Sequence, residues 1–293
     1  MAGREPQVPL PTIVCAVDDN FELPARVALH SLAAAHEDCL GDLRVVLLYD
    51  TLSADARTRI RTHGDRLGLK LELVESPPVD PRLPVLRRYT AAIYLRLNVH
   101  HVLADESRVL YLDSDLVVLQ DLRELLTLPM DGHAIGAVRD SARPTMSRGG
   151  ALPSWGEREF PADREYFNSG VLLLDLDACR STGVLDRASD ILLRQPDMAR
   201  FPDQDALNWA AADHWLRLDR KWNTFAMSIM AARSDYVHVA EDLAGLDSLV
   251  RAERTASILH FSGRDKPWQD TCPPSWSRDR YREFLRAVEG PLR

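Results

Sequence analysis

Two aspartates separated by one residue stand out as candidates for chemistry. Asp113 and Asp115 follow the apolar run 109–112. Side chains at positions i and i+2 of a strand share one face, so both carboxylates can meet one cation if the chain stays extended. Mg²⁺ and Mn²⁺ prefer such oxygen ligands and keep positions open for substrate phosphates. Because the same pattern occurs in solvated turns, the pair alone leaves both a metal site and an ordinary turn open.

A late segment carries further candidate ligands. His260 lies in the apolar run 257–261, and Gly263 and Lys266 follow it. His260 either completes a mixed carboxylate and imidazole site, which favours Mn²⁺ over Ca²⁺, or is a core histidine at a strand end. Gly263 permits a close backbone approach, and Lys266 offers a positive charge to a phosphate.

These residues must be positioned by a sheet. Short apolar runs alternate with helical patterns, which predicts βα units around a largely parallel sheet. Ligands bind beyond the carboxyl ends of strands in such sheets, so Asp18 and Asn20 are expected near the acid pair. Arg96 is expected to reach outwards from the edge of a helix over 89–103. Strands are predicted at 12–17, 43–49, 70–74, 108–112, 134–138, 171–174 and 257–261, and helices at 24–35, after Ser53 and at 89–103.

Two segments read as loops. Residues 77–84 contain four prolines, which remove backbone donors and block regular pairing. Residues 141–160 form a long segment rich in Gly and Pro. We interpret it either as a loop that covers a bound substrate or as a surface loop without a role in binding.

Composition excludes several classes of protein. The 293 residues carry a formal net charge of -8, which argues against a general nucleic-acid binder. Any phosphate-bearing substrate must therefore be held by local cations or a metal. Apolar runs do not exceed five residues, so no spanning helix is expected. The four cysteines lack metal-ligand spacing, which favours reduced thiols in a cytoplasmic enzyme.

Six sequence blocks in a fixed order resemble glycosyltransferase family 8, and within it the bacterial lipopolysaccharide galactosyl- and glucosyltransferases. The resemblance implies an α/β protein of the GT-A fold, with a Rossmann-like mixed central sheet flanked by helices. It implies a single transferase domain over 8–270 with acceptor-side loops, and a C-terminal helical tail over 271–293. The blocks are 16–20, 94–97, 109–115, 166–171, 201–205 and 260–268.

The same resemblance implies retaining transfer of glucose or galactose from a UDP-sugar, assisted by Mn²⁺ or Mg²⁺. The acceptor is a saccharide, a lipid-linked group or another hydroxyl, at a cytoplasmic location that includes the inner face of the membrane. Carried over by position, the metal ligands are Asp113, Asp115 and His260; the nucleotide contacts are Ala16, Asp18, Asn20, Ser114, Gly263 and Lys266; and the sugar contacts are Arg96, Asn168, Asp203 and Gln204. Separately from the resemblance, Asp140 follows the strand predicted at 134–138 and is a candidate to assist near the acceptor.

Alternatives remain open at this point. Asn168 could belong to a turn before a strand, and Asp203 could cap a helix. Gln204, which the resemblance places nearest the anomeric carbon, is a neutral amide and a poor nucleophile, so departure and attack on one face of the sugar is the working hypothesis. A non-catalytic UDP-sugar-binding protein and a metal-dependent nucleotidyltransferase are the competing functions. The apolar residues and arginines of the tail predict either a weak interfacial helix or one packed on the domain.

Overall fold

A computed structural model describes residues 10–84, 90–148, 160–196 and 200–290. The strands are β1 (Thr12–Ala16), β2 (Arg44–Tyr49), β3 (Lys70–Glu75), β4 (Arg108–Leu112), β5 (Leu116–Val118), β6 (Ile135–Arg139), β7 (Phe167–Asp175), β8 (Leu216–Arg217), β9 (Thr224–Phe225) and β10 (Ile258–His260). The α-helices are α1 (Glu22–Ala34), α2 (Ala54–Leu67), α3 (Val99–Val102), α4 (Arg123–Leu126), α5 (Leu176–Thr182), α6 (Val184–Arg194), α7 (Pro202–Ala211), α8 (Met227–Ala231), α9 (Leu246–Ala252) and α10 (Trp276–Glu289).

Seven strands form a mixed central sheet in the order β3-β2-β1-β4-β7-β6-β8. Strand β7 runs antiparallel to both β4 and β6, while the other neighbouring strands pair in parallel. Helices α1 and α2 cover one face and α6 and α7 the other, so the central strands are buried on both sides. This burial explains their unbroken apolar sequences. The predicted mixed sheet flanked by helices is confirmed.

Local signals placed several elements correctly. Ser53 caps α2 by accepting a hydrogen bond from Ala56 N at 3.2 Å, and the helix ends at Gly68 with φ of 73°. Glycine adopts this left-handed conformation without the strain that a Cβ would bring. All seven predicted strands are present within a few residues of their expected ends, and residues 77–84 hold no helix or strand.

The segment 89–103 was expected to be one helix, and its described part is instead mostly a 3₁₀ helix. Residues 85–89 lie outside the described ranges; beyond them, Ala91–Asn98 is a 3₁₀ helix and only Val99–Val102 is α-helical. Arg96 does not reach outwards, as it is 4% exposed. Its guanidinium turns towards the carboxylates of Asp113 and Asp203 instead, because a buried cation requires oppositely charged partners.

The segment 141–160, interpreted from its sequence as a cover or a surface excursion, lies only partly within the described residues. Residues 141–148 are described, and Thr145 forms an isolated antiparallel bridge with Glu165. Residues 149–159 lie outside the described part of the chain.

The C-terminal helix α10 packs back on the domain. Tyr281 is fully buried, with its ring centroid 5.1 Å from that of Phe261 and 5.6 Å from that of Trp268. Phe284 and Leu285 pack against the same cluster. The packed alternative is therefore the one observed, while the domain boundary near residue 270 stays a prediction. Within the described residues, the longest apolar helical stretch falls short of what a bilayer crossing requires.

A buried carboxylate ties α10 to the domain. Glu253 Oε1 accepts a hydrogen bond from Ser228 N at 2.6 Å, and Oε2 accepts from the hydroxyls of Ser228 and Ser277. We expect Glu253→Ala to lower the free energy of unfolding by about 3 kcal/mol, because three donors, of which the Ser277 hydroxyl is fully buried, lose their acceptor. Urea denaturation measures this change.

The matched control is Glu124→Ala, because Glu124 forms an exposed ion pair with Lys221. Its loss should change the free energy of unfolding by less than about 0.5 kcal/mol. If the Glu253 and Glu124 variants proved equally stable, the docking role of Glu253 would be refuted.

Candidate active site

One cleft opens at the carboxyl ends of β1 and β4, with a volume of about 1180 Å³. It is larger than the usual range for a site that holds one small ligand, about 300–1,000 Å³. All fourteen predicted site residues line it: Ala16, Asp18, Asn20, Arg96, Asp113, Ser114, Asp115, Asp140, Asn168, Asp203, Gln204, His260, Gly263 and Lys266.

The two acids and the histidine converge. Asp113 and Asp115 lie in the turn between β4 and β5, and β5 pairs antiparallel with β10, which places His260 opposite Leu116. His260 Nε2 is 3.7 Å from Asp113 Oδ2 and 3.2 Å from Asp115 Oδ1. One ligand atom from each residue lies within 4.8 Å of the other two. The local sequence pattern alone left the role of His260 open, because its strand belongs to the small sheet β5-β10-β9, whereas the family resemblance predicted its place beside the two acids.

Each acid divides its oxygens between a cation and the shared centre. Asp113 Oδ1 accepts a hydrogen bond from Arg96 Nη2 at 2.6 Å, and Asp115 Oδ2 accepts one from Lys266 Nζ at 2.5 Å. Asp113 Oδ2 and Asp115 Oδ1 are left facing His260. The two outer pairs therefore orient the inner oxygens without occupying them.

Burial and charge act differently on the two acids. Burial raises the pKa of Asp113, against the opposing charge of Arg96. Burial also favours protonated Asp115, but Lys266 and His260 outweigh it and hold the pKa of Asp115 below its ordinary value. Burial alone would lower the pKa of Arg96, whereas Asp113 and Asp203 raise it above its ordinary value. Arg96 thus remains a buried cation.

The donor set fits a divalent cation of the Mn²⁺ or Mg²⁺ type. Two carboxylate oxygens and one imidazole nitrogen face one another, and the adjoining cleft leaves room for substrate oxygens. His100, His101 and Asp186 form a second three-ligand group, away from the cleft. There the buried Nδ1 of His100 has no hydrogen-bond partner among the described residues. A histidine that binds a metal normally donates its other ring N–H, so this second group fits a metal less well.

The residues predicted to contact the nucleotide lie at two strand ends. Asp18 Oδ1 accepts hydrogen bonds from Asn20 N and Phe21 N, both at 3.0 Å, and so shapes the turn into α1. The carbonyl oxygen of Ala16 accepts from Ser114 Oγ at 2.7 Å, which joins the ends of β1 and β4. Asn20 is exposed and lines the cleft, so its side chain is accessible to a ligand.

The polar side chains predicted to contact the sugar are bonded to one another. Asp203 lies in the first turn of α7, where Phe201 holds the cap position, and its Oδ2 accepts from Ser169 Oγ at 2.8 Å. Gln204 Oε1 accepts from Asn168 Nδ2 at 2.7 Å, and Gln204 Nε2 donates to Asp140 Oδ2 at 3.2 Å. Asp203 is therefore not a helix cap.

Burial raises the pKa of Asp140, which is 1% exposed. Its Oδ1 accepts from the backbone N–H groups of Ala142 and Arg143 at 2.9 and 2.8 Å.

Sequence reasoning missed three residues that build this site. Ser169 and Gly170 lie within β7, so the turn considered for Asn168 is not present. Arg96 Nη1 donates to the carbonyl oxygen of Ser169 at 2.6 Å, and the Gly170 carbonyl oxygen accepts from Asp113 N at 2.8 Å. The glycine within an apolar strand was a usable signal for close packing. Asn223, which bonds to His260, follows three ordinary polar and aromatic residues and gave no signal.

The architecture and this edge of the sheet define the GT-A class. The galactosyltransferase LgtC, solved with donor and acceptor sugar analogs, has a similar fold with a TM-score of 0.77 and 24% sequence identity, covering 96% of this chain and 97% of that one. GlyE of Streptococcus pneumoniae has a TM-score of 0.69 with 20% identity, covering 95% of this chain and 60% of that one. At these identities the likeness concerns the fold.

The chain belongs to glycosyl transferase family 8, whose model matches residues 12–272. General stress protein A of Bacillus subtilis is 24% identical over 93% of this chain and 92% of that protein. The lipopolysaccharide 1,2-glucosyltransferase of Escherichia coli strain K12 is 30% identical over 64% of this chain and 52% of that protein. GlyF of S. pneumoniae is 28% identical over 93% of this chain and 60% of that protein.

Proposed function

We propose that this protein is a retaining hexosyltransferase that moves glucose or galactose from a UDP-sugar to an acceptor hydroxyl with the help of Mn²⁺ or Mg²⁺. The convergence of Asp113 Oδ2, Asp115 Oδ1 and His260 Nε2 in the cleft carries this proposal. Family membership supports sugar transfer. The lipopolysaccharide glucosyltransferase relative and the fold of LgtC favour a hexose.

Cations stabilise the leaving group in this proposal. Cleavage at the anomeric carbon places negative charge on the β-phosphate of UDP, and a bound metal ion would act there as a Lewis acid. Lys266 lies beside Asp115 and supplies a second positive charge. Gly263 has φ of 119°, a backbone conformation that favours glycine and lets the loop approach the diphosphate.

The sugar contacts argue against a covalent intermediate. Asp203 Oδ2 already accepts from Ser169 Oγ and lies 3.1 Å from Arg96 Nε. Asp140 accepts three hydrogen bonds, and the Gln204 carbonyl oxygen accepts two. Hydrogen bonds to these oxygens lower their nucleophilicity. Departure of UDP and attack by the acceptor on the same face of the sugar remains the mechanism that we favour.

The acceptor occupies the remainder of the cleft in this proposal. Beyond the sugar contacts the cleft is lined by Arg143, Phe201 and Tyr236. Aromatic faces beside polar groups suit a saccharide, whether free or lipid-linked. A cytoplasmic location, which includes the inner membrane face, belongs to the same proposal.

The test is UDP release from UDP-glucose and UDP-galactose. We expect slow UDP release with Mn²⁺ alone, faster release when a sugar acceptor is added, and loss of both with EDTA. Re-addition of Mn²⁺ or Mg²⁺ should restore activity, because the inner oxygens need a cation. GDP-sugars serve as the donor control. Absence of UDP release from every UDP-sugar with every divalent metal would refute the proposal.

A further inference from the structure

A continuous chain of buried side chains links His260 to Asp140. His260 Nδ1 is 2.9 Å from Asn223 Oδ1, and Asn223 Nδ2 is 2.8 Å from Asn168 Oδ1. Asn168 Nδ2 is 2.7 Å from Gln204 Oε1, and Gln204 Nε2 is 3.2 Å from Asp140 Oδ2. All five residues are at most 6% exposed. The chain therefore joins the candidate metal site to the candidate sugar pocket without solvent in between.

Two backbone N–H groups fix the direction of every bond in this chain. Gly170 N donates to Asn168 at 2.9 Å, so the atom of Asn168 that it meets must be oxygen. Ser169 N donates to Gln204 at 3.1 Å, which likewise identifies Gln204 Oε1. The group of Asn223 that faces the Asn168 oxygen must then be its amide NH₂.

The direction reaches His260 by the same logic. If the NH₂ group of Asn223 faces Asn168, its carbonyl oxygen faces His260. An oxygen of a neutral amide is only an acceptor, so His260 Nδ1 must carry a hydrogen. In the neutral ring Nε2 then presents its lone pair to the carboxylate oxygens of Asp113 and Asp115. The lone pairs of Nε2 and of the two carboxylate oxygens then face one another, and a cation bound between them would remove their repulsion.

We infer that Asn223 is a positioning residue, which holds His260 as the Nδ1–H tautomer with Nε2 directed at the metal and couples this ligand to Gln204. The inference rests on the proposed function for the metal and the sugar nucleotide. Histidines that bind metals commonly donate their second N–H to an oxygen acceptor, and loss of that acceptor weakens metal affinity about 10- to 100-fold.

The local fold makes Asn223 suitable for this role. It ends a 3₁₀ helix (Arg220–Asn223) and precedes β9, which pairs in parallel with β10 so that Phe225 lies beside His260. The Ala226 N–H donates to the His260 carbonyl oxygen at 3.0 Å. The backbone pairing of β9 with β10 therefore fixes the separation between the side chains of Asn223 and His260.

Two substitutions separate the two halves of the role. Asn223→Ala removes both bonds, and we expect a 10- to 100-fold weaker Mn²⁺ affinity, measured by the electron paramagnetic resonance of free Mn²⁺. Asn223→Asp keeps an oxygen that accepts from His260, but its second oxygen faces the Asn168 oxygen and repels it. The Asn168 side chain cannot rotate to relieve this repulsion, because its oxygen accepts from Gly170 N. We expect this variant to bind Mn²⁺ within about threefold of the wild type while kcat for UDP release falls about 100-fold.

Asn98→Ala is the control, since Asn98 donates to Ser76 outside the cleft and should change neither quantity. A ¹⁵N spectrum of the histidine rings in the metal-free wild type tests the tautomer even if Asn223→Ala fails to fold. A His260 ring whose Nδ1 carries no hydrogen, or Mn²⁺ binding by a folded Asn223→Ala protein equal to that of the wild type, would overturn the inference, whereas a hydrogen on Nδ1 supports it whether or not Nε2 is also protonated. A wild type that binds no Mn²⁺ but shows the Nδ1–H tautomer would instead refute the metal part of the proposed function.

Discussion

Replacement of Asp115 by asparagine is expected to reduce kcat for UDP release by about 10³-fold or more. Asp115 contributes Oδ1 to the shared centre and holds Lys266 through Oδ2, so one substitution weakens both positive charges proposed for the leaving group. The amide cannot fill both roles, because it has one oxygen, and it brings no negative charge to the one that it fills. Steady-state UDP release at saturating Mn²⁺ and UDP-sugar measures the change.

Asp19→Asn is the matched control for this prediction. Asp19 lies at the carboxyl end of β1, at the same edge of the sheet, but its carboxylate accepts from Ser53 at the start of α2. Its substitution should leave kcat within about threefold of the wild type. If Asp115→Asn retained more than a tenth of the wild-type kcat at saturating metal, the proposed metal centre would be wrong.

The sequence predicted the frame of this site well because the frame follows from local patterns. The apolar run that ends at Leu112 is buried in the centre of the sheet, and the acids that follow it lie at the sheet edge as expected. Ser53 and Gly68 delimit α2 through backbone chemistry that neighbouring residues decide. Such features depend on few long-range contacts.

The partners of the site residues follow from tertiary contacts and could not be predicted in this way. Arg96 was expected to point outwards, and it is buried because Asp113, 17 residues later, and Asp203 lie beneath it. Its segment adopts a 3₁₀ helix despite a helical apolar pattern. The short strands β5, β8 and β9, with two or three residues each, carry too little sequence pattern to be recognised. Asn223 becomes informative only once β9 lies beside β10.

Gly170 is the residue at which a single methyl group should damage the metal centre most. A Cβ at Gly170 would lie 2.3 Å from His260 Cε1 and 2.7 Å from Asp113 Oδ2, both closer than atoms can approach. Neither neighbour can yield easily, because Arg96 holds Asp113 and Asn223 holds His260. We therefore expect Gly170→Ala to weaken Mn²⁺ binding about 100-fold and to lower kcat with it, as loss of ligand orientation does elsewhere.

The experiment must separate damage to the site from general overpacking, which costs about 1–3 kcal/mol of stability in a packed core. Gly136→Ala is suited to this, because Gly136 lies in β6 of the same sheet and its Cβ would meet Leu173 and Leu218 at 3.4 Å. Both variants should lose some stability in urea denaturation, but only Gly170→Ala should lose Mn²⁺ affinity. The added methyl group must push His260 and Asp113 apart. A folded Gly170→Ala protein with wild-type Mn²⁺ affinity would therefore mean that these two residues do not bind the same ion.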